Sequence, residues 1–491
     1  MAEIVKFEKL SRFKTAESFR HHLQELQLNL PVDEKLLTEA EHSPLAQSIE
    51  LYGKTAANRW CIQPMEGWDG LADGNPSDLT LRRWERFGAS GAKLIFGGEA
   101  CAVREDGRSS PSQVMAVEHT KDGLRRLYDR VHETHRHLYG TSDDLILGLQ
   151  LTHSGRFSKP NRRDAFEPVI AYNHPILDKK FGFDPHDDSH IISDEGIDRL
   201  IECYITAAKM AYEIGFDFVD VKHCHGYLGH ELLSAFTREG KYGGSFENRT
   251  RFLRTIVEQI RAAVPNLGIA VRISAFDLVP FKDDEATRTA KNKGVGVPED
   301  FSHCLPYRYA FGVNQDNPLE YDLTETVQLM KLFEKLNIPL VNVSCGSPYY
   351  NPHIQRPASF PPSDGYRPPE DPLVGVNRQI QMVRALKEYF PNLVLIGTGY
   401  SYLQEFLPLV AQGVIRDGWA DFIGYGRGVL SYPTMPADTL LTGEMDTKHI
   451  CRTFSDCTTA PRHGMVSGCY PLDEYYKNMK EARKLKEVKK G

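Results

Sequence analysis

From Asn58 onward, short apolar runs alternate with longer stretches whose apolar side chains recur at helical spacing. That is the pattern of βα units feeding a parallel sheet. Eight runs read as strands: Trp60–Pro64, Lys93–Gly97, Leu145–Leu151, Phe218–Lys222, Gly268–Ser274, Leu340–Ser344, Leu393–Gly397 and Phe422–Gly424. The two-residue period of a strand sorts each run into two faces. Leu145, Leu147, Leu149 and Leu151 share one face, with Gly148 and Gln150 on the other. Val219 and Val221 oppose Phe218, Asp220 and Lys222; Ile269, Val271 and Ile273 oppose Ala270, Arg272 and Ser274; Val341 and Val343 oppose Asn342 and Ser344. An open sheet covered on both sides would be apolar on both faces. Here one face turns polar toward the strand's C-terminal end, which predicts an α/β fold of the (β/α)8 TIM-barrel type with its active site at the C-terminal mouth.

The flanks follow from the same pattern. Residues 1–50 are polar and helix-prone, with Phe19, Leu23 and Leu26 spaced for a weakly amphipathic helix outside the barrel. The barrel is assigned to residues 51–440. Two irregular insertions, Lys159–His190 and Asp277–Glu320, follow the third and fifth strands and are expected to cap the mouth, being rich in Pro, aromatic and charged residues. Residues 441–491 read as a Cys-containing loop and a basic helical tail.

Composition narrows the function classes. With 41% hydrophobic and 25% charged residues the chain is an ordinary globular protein, and a net charge of −7 argues against a nucleic-acid or anionic-membrane surface. No apolar run is long enough for a membrane span, the polar start lacks a signal-peptide core, and nine scattered cysteines read as reduced thiols. A cytoplasmic protein acting on a small molecule is expected, and a homo-oligomer is left open.

Several strand ends carry a specific combination: Asn58-Arg59 and Pro64-Met65; Gly98-Glu99-Ala100; the run Gln150 to Arg156; His225-Gly226-Tyr227 with the run Tyr242 to Arg249; Val271-Arg272; Gly397-Thr398-Gly399; and Gly424-Tyr425-Gly426-Arg427. In this order and spacing they resemble the old yellow enzyme family of FMN-dependent oxidoreductases over roughly residues 45–440. The resemblance implies FMN as cofactor and NADH or NADPH as reductant. It places Pro64, Met65, Glu66, Ala100, Gln150, Arg272, Gly397, Gly399, Gly426 and Arg427 at the cofactor. A flavin also needs donors for its pyrimidine oxygens, a cation near N1 and a phosphate cradle. Gln150 and Arg272 are inward-facing and suit the first two, and the glycine loops with Arg427 suit the third. Tyr227 matches the family's tyrosine that protonates the substrate carbon, and His225 matches one of its substrate-anchoring pair.

Three features depart from the family's pattern. Lys222 stands where a His is usual; an ammonium there would select an anionic or electron-rich acceptor, unless it pairs with Asp220 or Glu66. Glu66 replaces a hydroxyl or thiol residue, and an ionised carboxylate beside the cofactor would oppose formation of the anionic reduced flavin, so it is expected to be protonated, ion-paired or turned away. Cys451, Cys457 and Cys469 echo the branch resembling 2,4-dienoyl-CoA reductase and trimethylamine dehydrogenase, but a fourth cysteine is missing and no second nucleotide-binding domain follows. This argues against an iron–sulfur cluster. No metal is expected at His223-Cys224-His225 either, because neighbouring side chains diverge on a strand-to-turn segment. The sequence therefore predicts an ene-reductase-type oxidoreductase with Tyr227, His225 and Lys222 as catalytic residues. The alternatives are an FMN-dependent dehydrogenase or demethylase of a small amine, or a flavin-free sugar-phosphate barrel.

Overall fold

A computed structural model describes residues 7–290 and 292–489. The first six residues of the expected extension lie outside the described residues. Nine parallel segments close a barrel: β1 (Trp60–Ile62), β2 (Leu94–Ile95), β3 (Ala100–Ala102), β4 (Ile146–Thr152), β5 (Phe218–Val221), β6 (Gly268–Ser274), β7 (Leu340–Ser344), β8 (Val394–Gly397) and β9 (Phe422–Tyr425). They run in the order β2-β1-β9-β8-β7-β6-β5-β4-β3, and β2 also pairs with β4 to complete the circle. The second of the eight barrel positions is thus split. Gly97 and Gly98 between β2 and β3 have φ of 85° and 44°, outside the extended region, so the ladder stops and restarts after the kink.

The polarity change along each strand is what the barrel resolves. Cys61, Leu94, Ile146, Phe218, Ala270, Leu340, Ile396 and Phe422 form one apolar cluster inside the barrel near its N-terminal end. A hairpin of Ile49–Leu51 with Lys54–Ala56 plugs that end: Leu51 and Ala56 join the cluster, and the Tyr52 hydroxyl donates to the Ile269 carbonyl at 2.9 Å. Further along the same faces, two residues on for Gln63, Asp220, Arg272, Asn342 and Thr398 and four for Gln150, the inward positions turn polar. The opposite faces, including Leu145, Leu147, Leu149, Leu151, Val219, Val221, Val271 and Val341, belong to the outer core against the helices.

α1 (Ala16–Glu25) packs outside the barrel, with Phe19 stacked on Phe406 at 4.2 Å between ring centroids. The helices that follow the strands carry their apolar residues as stripes. In α2 (Arg251–Ala263), which follows β5, Phe252, Leu253, Ile256, Val257 and Ile260 are buried, the one-sided spacing of a helix laid on a sheet. The two insertions pack on each other: Lys180 pairs with Glu299 at 3.1 Å, and the Tyr172 hydroxyl donates to the Tyr309 carbonyl at 2.9 Å. Arg156, fully buried at the end of β4, ties this layer to the barrel through Asp178 of the first insertion and Glu231 of the short helix that follows Tyr227.

Candidate active site

The strand ends open into a cavity whose empty volume, counted out to the solvent at its mouth, is about 1330 Å³. Twelve of the thirteen residues singled out from the sequence line it: Pro64, Met65, Glu66, Ala100, Gln150, Lys222, His225, Tyr227, Arg272, Gly399, Gly426 and Arg427. Gly397 does not. It ends β8 behind the wall, its carbonyl accepting from Gln63 Nε2 at 3.4 Å, and a Cβ there would come within 2.5 Å of the Tyr400 hydroxyl.

The floor is built by β4, β5 and β6. Asp220 on β5 accepts from Gln150 Nε2 and from the Arg272 backbone N–H, so one carboxylate registers the strands on both sides of it. Burial pushes the Asp220 carboxyl up to about 6, against those two hydrogen bonds and the nearby Arg272 and Lys222 charges. Because Asp220 takes the backbone of Arg272 and not its guanidinium, Arg272 is left buried with its Nε unpartnered.

The wall above comes from the turn after β5. His225 and Gly226 both adopt left-handed backbone, with φ of 66° and 78°. A Cβ on Gly226 would stand 3.0 Å from the Tyr350 ring, so glycine serves both the turn and the close approach. The reversal brings Tyr227 back to the cavity as the residue preceding the helix Leu228–Leu233. The His225 ring meets Ser344 Oγ at 3.1 Å, and burial, with Arg272 and Lys222 nearby, holds the imidazole well below the usual histidine range, hence neutral. His223 instead turns to the Val221 carbonyl at 2.9 Å, so the two imidazoles of this segment point apart. Among the described residues no group of three or more His, Cys, Asp or Glu side chains is arranged to hold a metal ion.

Glu66 is the centre of the wall. Its Oε1 lies 3.2 Å from Lys222 Nζ, and its Oε2 accepts from Ser109 Oγ at 2.6 Å, the Tyr227 hydroxyl at 2.8 Å and Trp68 Nε1 at 3.2 Å. Of the three arrangements open to Glu66 from sequence, the ion pair is the one found. Burial, followed by Glu66, raises the Tyr227 phenol well above the usual tyrosine range.

Under the loops after β7, β8 and β9 the cavity is cationic. Arg356, Arg427 and Arg462 line it together, with Arg356 held by Ser455 at 3.1 Å, Arg427 by Thr458, and Arg462 by Asp364 at 2.7 Å. Arg356 Nη2 and Arg462 Nη1 are buried without partners. Burial, then the Arg356 charge, brings Arg427 down to about 10, a cost that an anion placed here would relieve. Gly399, with φ of 90°, and Gly426, where a Cβ would meet nothing nearer than Gln63 at 3.8 Å, leave room for it.

A model of the NADH:flavin oxidoreductase / NADH oxidase family matches residues 44–298. The chain belongs to that family. An NADPH dehydrogenase of Halalkalibacterium halodurans is 28% identical over 406 residues, 82% of this chain and 95% of that protein. NADH:flavin oxidoreductase FG08077 of Gibberella zeae is 27% identical over 317 residues, 61% of this chain and 66% of the relative. Among solved structures, 2-naphthoyl-CoA reductase in complex with 2-naphthoyl-CoA superposes with a TM-score of 0.63 at 18% identity, over 89% of this chain and 58% of that one. Morphinone reductase in complex with tetrahydroNAD gives 0.55 at 17% identity, over 82% and 92%. At these identities the structural likeness is one of fold, an old yellow enzyme-type barrel. The family's cofactor is FMN with NADH or NADPH as reductant, and the residues of this NADH:flavin oxidoreductase family member fit that cofactor. The unpartnered Arg272, the Gln150 amide and the arginine-lined cradle beside Gly399 and Gly426 match a cation near N1, a partner for the pyrimidine ring and a phosphate site.

Sequence reasoning did not reach Tyr349, Trp68, Ser109, Arg356 and Arg462. Tyr349 had a signal, since it follows a Gly-Ser-Pro turn directly after a barrel strand, where site residues of this fold sit. Arg462 had none. It belongs to the C-terminal tail, which brings Cys457, Thr458, Pro461, Arg462 and Ser467 to the cavity. Cys451, Cys457 and Cys469 are unpaired thiols, and burial pushes those of Cys451 and Cys469 up.

Proposed function

We propose that this protein reduces an activated alkene at the expense of NADH or NADPH, with Tyr227 delivering the proton. When bound, FMN supplies the two-electron chemistry that links nicotinamide to alkene. Arg272, Gln150 and the arginine cradle are the residues that would hold that cofactor. His225 is neutral and reaches the cavity from a turn fixed by Ser274 and Ser347, so its ring is oriented to hydrogen-bond a carbonyl oxygen and polarise the double bond. The Tyr227 hydroxyl stands on the same wall, two residues on, as the group placed to give a proton to carbon. The observation that carries the reading is this gathering in one cavity of an unpartnered cation, a neutral imidazole and a phenol whose proton is already hydrogen-bonded. Nine unpaired cysteines suit a cytoplasmic setting for it.

The bond from Tyr227 to Glu66 also favours a second reading, the reverse direction. There a phenol with a carboxylate behind it would accept a proton from a saturated substrate or a small amine. Mixing the flavin-loaded protein with NADPH and then 2-cyclohexenone decides between them. Reduction by NADPH followed by enone-dependent reoxidation supports the first reading. Failure of any enone to reoxidise the reduced protein would overturn it.

A further inference from the structure

Tyr227 is 2% exposed, and its hydroxyl has two polar neighbours, Glu66 Oε2 at 2.8 Å and the Tyr349 hydroxyl at 2.8 Å. They are not equivalent. Every group hydrogen-bonded to Glu66 is a donor: Lys222, Ser109, Trp68 and Tyr227 itself. The Tyr227 proton is therefore directed to Glu66, and the hydrogen bond between the phenols must run from Tyr349 O–H to Tyr227 oxygen. Tyr349 is half-buried where Tyr227 is buried, and both line the cavity. Its ring is stacked on Phe157 at 4.0 Å and 10° between planes. Its backbone N–H bonds Ser347 Oγ at 3.3 Å, and that hydroxyl in turn donates to the His225 carbonyl at 2.8 Å. The turn that carries Tyr349 is thus fastened to the turn that carries Tyr227.

We infer that Tyr349 is a second proton-carrying residue of this site, returning to Tyr227 the proton that Tyr227 gives to substrate. The inference rests on the reading of Tyr227 given above. In the protonation step the Tyr227 O–H turns from Glu66 toward the substrate, its bond breaks and a C–H bond forms at one alkene carbon, while the other carbon receives the hydride equivalent that originates from NAD(P)H. The Tyr227 phenolate is left beside the Glu66 carboxylate, an unfavourable like-charge contact only partly offset by Lys222, whose Nζ lies 3.7 Å from the ring centroid. A nearby proton source shortens the life of that phenolate. The Tyr349 O–H bond breaks, the Tyr227 O–H bond re-forms, and Tyr349 takes its proton from a hydrated proton or buffer acid at the mouth. The net reaction consumes one alkene, one NAD(P)H and one proton.

Tyr349→Phe keeps the stacking and removes the relay. In a single turnover of pre-reduced protein with an enone, its rate stays within about threefold of the parent, because the proton is already on Tyr227. Steady-state kcat falls by about tenfold or more, less than the ~10²–10⁴-fold of a group that transfers the proton to substrate itself, its solvent deuterium isotope effect rises, and added buffer acid restores part of the rate. A readout independent of turnover is the 13Cζ resonance of Tyr227, assigned by its loss in Tyr227→Phe. It moves in Tyr349→Phe when the donated hydrogen bond is lost. Parent-like kcat and isotope effect, or an unmoved resonance, overturn the inference. So does a single-turnover rate as slow as that of Tyr227→Phe, which would make Tyr349 a positioning residue. If Tyr227→Phe itself reoxidises at the parent rate, the reading of Tyr227 fails and the inference fails with it. A slow Tyr227→Phe beside a parent-like Tyr349→Phe isolates the failure to Tyr349.

Discussion

Lys222 Nζ stands 3.2 Å from Glu66 Oε1, and both side chains are largely buried, at 6% and 12% exposure. The pair settles two departures from the family at once, since each residue supplies the charge that the other's burial would otherwise leave unmatched. It also commits one donor of the Lys222 ammonium to Glu66, the pairing weighed against selection of an anionic acceptor.

Breaking one side of this pair is expected to harm the protein more than removing both. Lys222→Met leaves Glu66 buried opposite a methionine and is expected to cost about 3–5 kcal/mol of stability, the range for orphaned buried charges. The double variant Lys222→Met, Glu66→Gln recovers most of it. Reductions of a neutral and a carboxylate-bearing alkene, measured in parallel, fall together. A selective loss on the carboxylate substrate would show that Lys222 meets the substrate after all.

Tyr227→Phe is expected to slow enone-dependent reoxidation by about 10²–10⁴-fold, the usual contribution of a general acid, while reduction by NADPH keeps nearly its parent rate. Stopped-flow traces of the two half-reactions separate these effects. Equal slowing of both would mean that Tyr227 holds the wall in place and that another group is the acid.

Removal of the cationic cradle is expected to act on cofactor retention. Arg427→Ala deletes a charge-assisted contact, and Arg356→Ala one of the two cations with an unpartnered Nη. Each is expected to weaken FMN binding by about 10- to 100-fold, or about 1.5–3 kcal/mol. Arg272→Ala is expected to make the bound cofactor harder to reduce with less effect on its retention. Fluorescence titration of FMN into the stripped proteins reads the first effect and a midpoint potential reads the second. Parent-like binding in both cradle variants would move the phosphate elsewhere.

Asp220 gives the protein a pH-dependent term of known sign. Its folded carboxyl sits at about 6, above the ordinary 3.8, so its contribution is fully present below about pH 4 and is lost as pH rises through 6. That displacement corresponds to about 2–3 kcal/mol. Asp220→Asn, which cannot ionise, is therefore expected to compare better with the parent at about pH 7.5 than at about pH 4.5 in thermal midpoint. A difference between the two proteins that is independent of pH would place the burden of ionisation on another group.

The barrel and its mouth were legible in the sequence because strand periodicity is local. Ile146, Gly148 and Gln150 must share a face whatever surrounds them, and the change from apolar to polar along that face marks the end where the site lies. The identities of Arg272, His225, Tyr227 and Arg427 could be read from the order of short motifs, since each is fixed by its distance from a strand end. Even the split of the second strand has a local cause, in Gly97 and Gly98. What only the tertiary structure decided is which side chains meet. Glu66, Ser109, Lys222 and Tyr349 come from four separate segments, and nothing in their spacing shows that one carboxylate is ringed by donors, or that it meets the Tyr227 hydroxyl and the Lys222 charge together. The same holds for Arg462, carried by a tail with no barrel periodicity to the cavity where Arg356 and Arg427 already stand. Periodicity specifies the face on which a side chain lies, but a hydrogen bond depends on closing the circle of strands and folding the loops back over it, and that information is spread across the whole chain.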